Sequence, residues 1–102
     1  SVRDARDLPD AGFDLVCFFD CLHDMGDPVA AAEAGRLALK TDGALLLVEP
    51  FARDRLEDNV GPVSRAFYAA STAVCSAHAI SERGSHVLGA QAGFSALRAV
   101  LE

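Results

Sequence analysis

The stretch FDLVCFFDCLHDMGDP, from Phe13 to Pro28, joins an apolar run to a polar cluster that ends at Asp-Pro. Its first seven residues, in which only Asp14 interrupts the apolar character, predict a strand that is buried on both faces. Polar side chains directly after such a strand lie at its carboxyl end, where open α/β sheets bind their ligands. The stretch therefore predicts an α/β fold whose chemistry lies just after this strand.

The residues that follow predict the rest of a βαβ unit. Asp27 is placed to cap a helix, Pro28 suits its first position, and VAAAEAGRLALK, residues 29–40, continues it until the sequence TDG. ALLLVEP, from Ala44 to Pro50, then predicts a second buried strand. A strand, a helix and a strand in this order predict a right-handed crossover between two adjacent parallel strands.

The second half of the chain predicts two more helices. Pro62 opens a segment with apolar residues at helical spacing, which form a stripe suited to a lid over a neighbouring surface: Val63, Ala66, Phe67, Ala70, Val74 and Ala77. A glycine-containing loop, SERGSHVLGAQAG, follows, and Ser95 is placed to cap a last helix. Because a parallel pair of strands needs cover on both faces, we expect residues 1–102 to be a fragment of a single larger domain that associates with itself.

The composition excludes several classes of protein. A length of 102 residues with 51 % hydrophobic residues suits one domain with a real core. A net charge of −6, spread along the chain, disfavours binding to nucleic acid. The apolar runs are too short to span a membrane, and three cysteines in apolar surroundings suit reduced thiols, so we expect a cytoplasmic protein.

Three segments together resemble class I S-adenosylmethionine-dependent methyltransferases: RDARDLP at residues 3–9, the stretch from Phe13 to Pro28, and LKTDGALLLVEP at residues 39–50. The likeness is closest to small-molecule enzymes of actinobacterial type. It implies a partial Rossmann-like three-layer fold with parallel strands and a helical lid, S-adenosylmethionine as cofactor, and methyl transfer to an oxygen or nitrogen of a small-molecule acceptor. The family's glycine-rich turn and ribose-binding acidic residue do not occur here, which implies that the parent protein is active and the fragment alone is not.

The resemblance also assigns residues to the cofactor. The Asp4 carboxylate would accept a hydrogen bond from the adenine amino group, and the Ala5 N–H would donate to a ring nitrogen; the other interpretation of Asp4 is a solvated loop carboxylate. Phe19 and Asp20 would lie near the sulfonium, which an aromatic face attracts by about 0.5 to 2 kcal/mol. Strand alternation places Phe18 in the core, and the alternative places both phenylalanines there.

The same resemblance makes His23 the candidate catalytic base. His23 with Asp24 matches a His-Asp pair of plant-type O-methyltransferases, and an imidazole can remove the acceptor's proton near neutral pH. The alternative is that His23 only orients its loop. The polar residues from Asp20 to Asp24 lack the paired spacing of metal ligands, so the sequence predicts no metal site.

Two further residues are candidates for binding the acceptor. Glu49 ends the second strand and can face the substrate, or it can pair with Arg53 or Arg55 instead. Tyr68 lies on the predicted lid helix, where core and surface are the alternatives. A different class of function also fits the sequence, a non-catalytic methyltransferase-like module for regulation or dimerisation, whereas half of a nucleotide-binding oxidoreductase fits the segment VEP poorly.

Overall fold

The computed structural model describes residues 2–9 and 12–102, so the predicted start of the domain at Ser1 lies outside the described residues. The βαβ unit consists of β1 (Phe13–Phe19), α1 (Pro28–Ala38) and β2 (Leu39–Val48). The two strands are hydrogen-bonded neighbours and run parallel. The chain therefore has a mixed α/β fold, and the prediction of two adjacent parallel strands joined by a helix is confirmed.

The helix α1 begins as its sequence indicates and ends earlier. The Asp27 carboxylate accepts a hydrogen bond of 2.9 Å from the Ala30 N–H, which confirms the predicted cap. The helix ends at Ala38 because Leu39 already has an extended backbone, with ψ of 145°. The prediction of helix up to Lys40 is therefore wrong by two residues.

The start of β2 is irregular. Phe13 lies opposite Leu39, but Leu15 already lies opposite Ala44, so residues 40–43 bulge out of the strand. The sequence TDG, expected to end the helix, lies in this bulge. The strand is therefore longer than predicted at its beginning, and it ends at Val48, one residue before Glu49.

The sheet has one buried and one exposed face. Side chains on the buried face pack against the helices around a core that consists of Phe18, Leu22, Ala31, Ala32 and Val100. The other face exposes a row of side chains, namely Leu15, Cys17, Phe19, Leu46 and Val48. The prediction that β1 is buried on both faces is wrong, because the described helices cover one face only, and a third layer is not part of the residues described.

A helix of three parts follows the connector. It consists of α2 (Pro62–Ala70), a π-helical turn (Ser71–Cys75) and α3 (Ser76–Ser81). The side chains that it buries belong to Ser71, Cys75 and Ala79. The predicted apolar stripe from Val63 to Ala77 is exposed, so it does not cover a neighbouring surface within the described residues.

The last helix, α4 (Phe94–Leu101), packs against α1. Its predicted cap, Ser95, lies inside the helix, and Gly93 precedes it. The carboxylate of Asp54 accepts hydrogen bonds from the Ser95 N–H at 2.7 Å and from the Ser95 hydroxyl at 2.8 Å. Among the described helices, none combines the length and apolar character needed to cross a membrane.

The exposed sheet face generates a prediction about self-association. We expect the 102-residue chain to associate at micromolar concentration, because exposed apolar rows and open strand edges pair readily with other chains. Leu46→Lys places a charge in this row and should shift the chain towards monomer in sedimentation velocity. Leu37→Lys is the control, since Leu37 is similarly exposed, at 49 % against 44 %, but lies on α1. A wild-type chain that remains monomeric would contradict the prediction.

Candidate functional site

The site begins where β1 leaves the sheet. The Asp20 N–H still donates to the Val48 carbonyl at 2.7 Å, but Asp20 has a φ of +52°, in the left-handed region that Asp tolerates better than most residues. The chain therefore turns sharply into a 3₁₀ turn at Leu22–Asp24. This turn lies beside the carboxyl end of β2, which brings His23 next to Glu49.

The Glu49 carboxylate holds the turn in place. Its Oε1 accepts the Leu22 N–H at 2.7 Å, and its Oε2 is hydrogen-bonded to His23 Nδ1. The Glu49 side chain is 4 % exposed and the His23 side chain is 5 % exposed, so this pair is buried. Because an ionised carboxylate only accepts hydrogen bonds, Nδ1 carries the hydrogen.

Glu49 therefore points inward and does not make the alternative pairing with Arg53 or Arg55. Arg55 instead forms an ion pair with Glu57. The Arg53 N–H donates to the Asn59 side chain at 2.9 Å. The connector after β2 is thus held by contacts among its own residues, and the Glu49 side chain contacts Leu22 and His23 instead.

The second nitrogen of His23 faces a different cluster. His23 Nε2 lies 3.3 Å from Asp24 Oδ1, an oxygen that is buried and has no hydrogen-bond partner among the described residues. Cys75, from the π-helical turn, joins them, and one potential ligand atom from each of the three residues lies within 4.8 Å of the others. Burial, and then a hydrogen bond to the Asp24 side chain, raise the pKa of the Cys75 thiol to about 11.

Asp4 and Ala5, assigned to adenine, lie at another place. They line a cleft of about 520 Å³ that residues 25–27 and 82–85 also border. The Asp4 carboxylate accepts hydrogen bonds from the Arg6 Nε at 2.9 Å and Nη2 at 2.8 Å, and from the Arg6 backbone N–H. The Arg6 guanidinium holds the pKa of Asp4 well below its usual range. This pairing within the loop gives no distinct signal in the sequence.

Phe19, Asp20 and Tyr68 complete the predicted set. Phe19 is 61 % exposed and Phe18 is buried, so Phe18 is the core residue, as predicted. Asp20 Oδ1 lies 4.0 Å from His23 Nδ1, whereas neither Phe19 nor Asp20 lines the cleft of Asp4. The Tyr68 hydroxyl is 3.5 Å from the Asn59 Nδ2, beside the connector.

The structure thus brings some of the predicted residues together and separates others. Asp20, His23 and Glu49 form one cluster at the ends of the two strands, with potential ligand atoms within 4.8 Å of one another. The sequence missed Cys75, which lies far along the chain in an ordinary helical pattern and carries no signal of its own. All three cysteines are free thiols.

Comparison with known proteins leaves the family open. No protein-family model matches the chain, and no curated protein matches its sequence.

The Glu49 contacts generate a prediction about stability. Glu49→Ala leaves the Leu22 N–H and the His23 Nδ1–H without their acceptor, and each buried donor left unpaired should lower the free energy of unfolding by about 1 to 3 kcal/mol. Denaturant unfolding of the 102-residue chain measures this change. Glu57→Ala is the control, since its ion pair with Arg55 is exposed and should contribute far less. Equal stability of the two variants would show that the Glu49 contacts do not hold the turn.

Proposed function

We propose that this chain is the carboxyl-terminal part of the catalytic domain of a class I S-adenosylmethionine-dependent methyltransferase. The observation that carries the proposal is the cluster of Asp20, His23 and Glu49 at the neighbouring carboxyl ends of two parallel strands. Ligands of open α/β sheets bind at this end. The resemblance of residues 3–50 to the family supplies the cofactor and the reaction.

In the complete protein, we propose a three-layer Rossmann-like domain. Its further strands and helices would cover the exposed sheet face that includes Leu15 and Leu46. The helix from Pro62 to Ser81 would serve as the lid on the acceptor side, with Tyr68 as a substrate-binding residue. We place the protein in the cytoplasm, where its free thiols stay reduced.

The residues assigned to the cofactor fit parts of it. The cleft beside Asp4 and Ala5 has room for a planar ring, and the Asp4 oxygens keep accepting capacity beyond their bonds to Arg6. Phe19 offers an exposed aromatic face for a sulfonium. When bound, S-adenosylmethionine supplies an electrophilic methyl group, and the role of these residues is to hold it in place.

Methyl transfer of this kind needs few catalytic groups, because an in-line displacement depends mainly on the positions of the two partners. If His23 is the base, Nε2 must take the proton, since Nδ1 already donates to Glu49. Glu49 then positions the imidazole and does not contact the acceptor. His23 is almost completely buried, which also fits the alternative that the ring only orients its loop.

A non-catalytic module is the second candidate. The exposed apolar stripe of α2, which includes Val63 and Phe67, favours it, because such a stripe suits a regulatory or dimer interface. The two functions differ in their need for cofactor. Binding of S-adenosylmethionine by the complete protein therefore separates them.

The first test concerns cofactor binding. In the complete parent protein, Asp4→Ala should weaken S-adenosylmethionine binding about two- to tenfold in calorimetry, because one hydrogen bond to adenine is lost. Asp7→Ala, in the same short turn, is the matched control and should bind as the wild type does. The 102-residue chain alone should bind weakly or not at all, since it lacks the glycine-rich turn. A parent protein that is indifferent to the cofactor would favour the non-catalytic module.

The second test concerns His23. In the parent protein, His23→Ala should slow turnover by roughly a hundredfold or more and leave the dissociation constant of the cofactor nearly unchanged, if the imidazole is the base. The exposed His78 provides the control variant, His78→Ala. Turnover that falls only in proportion to lost folded protein, measured by circular dichroism, would assign His23 to the loop instead.

A further inference from the structure

We infer that His23 Nε2, Asp24 Oδ1 and Cys75 Sγ form a binding site for Zn²⁺. These three residues offer one nitrogen, one oxygen and one sulfur ligand within 4.8 Å of one another. The inference does not rest on methyl transfer, since every ligand lies in the described part of this chain.

Glu49 decides which nitrogen of His23 is available. Because Nδ1 donates to the Glu49 carboxylate, neutral His23 presents the lone pair of Nε2 on the other side. His23 Nε2 lies 3.3 Å from Asp24 Oδ1, so two acceptor atoms are close together without a hydrogen bond between them. A cation between them satisfies both. Histidines that ligate metals commonly donate their other N–H to a carboxylate, as His23 does.

The separation of the nitrogen and oxygen ligands suits zinc. Tetrahedral Zn²⁺ with bonds of about 2.0 to 2.2 Å to nitrogen and oxygen separates two such ligands by roughly 3.3 Å. His23 Nε2 and Asp24 Oδ1 already have this separation, at 3.3 Å. A nitrogen, an oxygen and a thiolate favour zinc over magnesium or calcium, which prefer oxygen ligands alone. On binding, the Cys75 thiol forms its bond to zinc as the thiolate and releases its proton to solvent.

Asp24 Oδ1 gives an independent reason for a cation. The Cys75 thiol donates to the Asp24 side chain, but no hydrogen bond of ordinary geometry reaches the buried Oδ1 among the described residues, and such an atom calls for a further partner. The Asp24 side chain as a whole is 40 % exposed, so an ion can enter from its solvent side. Three protein ligands leave a fourth position for water, which is the arrangement of reactive zinc sites.

The π-helical turn brings the sulfur ligand to this position. A π turn adds one residue to a helical turn, which rotates the side chains after it by about 100° relative to a regular helix. Cys75 ends this turn, and the helix α3 that follows packs against the 3₁₀ turn of His23. π turns occur frequently at functional sites.

The neighbouring cluster of Asp20, His23 and Glu49 is a poorer candidate. It would use Nδ1, which already forms a hydrogen bond to Glu49. The Asp20 side chain is 75 % exposed and solvated. Glu49 therefore orients the ligand ring, and zinc binds on the opposite side of that ring.

Cobalt and zinc titrations of the reduced, metal-free 102-residue chain test the inference. Co²⁺ should bind with a stoichiometry of one and give a thiolate-to-cobalt charge-transfer band with the intense visible bands of tetrahedral cobalt, and Zn²⁺ should displace it. Cys75→Ser should abolish the charge-transfer band. Cys17→Ser, which removes an exposed thiol, should leave the band intact. His23→Gln and Asp24→Asn should each weaken binding at least tenfold, and Glu49→Gln about 10- to 100-fold.

Three results would overturn the site: no saturable binding of either ion, a charge-transfer band that survives Cys75→Ser, or a band that depends on Cys17. Amide spectra of each variant, recorded by nuclear magnetic resonance, confirm that the fold persists and locate the metal-induced shifts. The same variants separate this inference from the proposed methyl transfer. Cys75→Ser should abolish the charge-transfer band whether or not the parent protein transfers methyl groups, because Cys75 has no role in the proposed methyl transfer. If zinc does bind Nε2, that nitrogen cannot also act as the base.

Discussion

The Glu49 carboxylate is the group on which the arrangement of the site depends. It lies just beyond β2 and accepts hydrogen bonds from the Leu22 N–H and the His23 Nδ1–H, and both of these donors lie just beyond β1. A carboxylate that is 4 % exposed is costly to bury unless donors surround it, and here two donors do so. The parallel pairing of the strands brings these groups to one edge of the sheet. The polar cluster therefore depends on the parallel pairing of the strands.

The same short turn also belongs to the core. Leu22 is fully buried and packs against Phe18, whereas the next residue, His23, makes the polar contacts. Adjacent residues thus anchor the turn in two ways, by apolar burial and by hydrogen bonds. A buried ring that is hydrogen-bonded through Nδ1 has little freedom to rotate, which keeps Nε2 near Asp24 Oδ1. Such preorganisation suits a metal ligand or a base, because metal binding or proton transfer then requires no further ordering of the ring.

Local signals explain what the sequence could predict. The bounds of β1 and the Asp27 cap follow from an apolar run and a capping residue. The contact between His23 and Glu49 was not predicted, because the sequence placed both residues after parallel strands but assigned Glu49 to the acceptor or to an arginine. The exposure of the stripe around Val63 could not be predicted, because the cover of an apolar face depends on elements elsewhere in the fold. Nor could the approach of Cys75 to His23, since this contact is distant in sequence and the π turn that produces it has no recognised pattern.

The exposed sheet face and Asp24 Oδ1 both lack partners among the described residues, and their chemistry differs. The exposed sheet face with Leu15 and Leu46 is apolar, so only protein surface of the same kind satisfies it. Asp24 Oδ1 is a buried acceptor, which an apolar neighbour cannot satisfy and which a proton or a cation can. The first feature concerns the assembly of the domain and the second concerns its chemistry. Elements that cover the exposed sheet face do not by themselves satisfy Asp24 Oδ1, because this oxygen is buried on the other side of the sheet's end, between the 3₁₀ turn and the helix that carries Cys75.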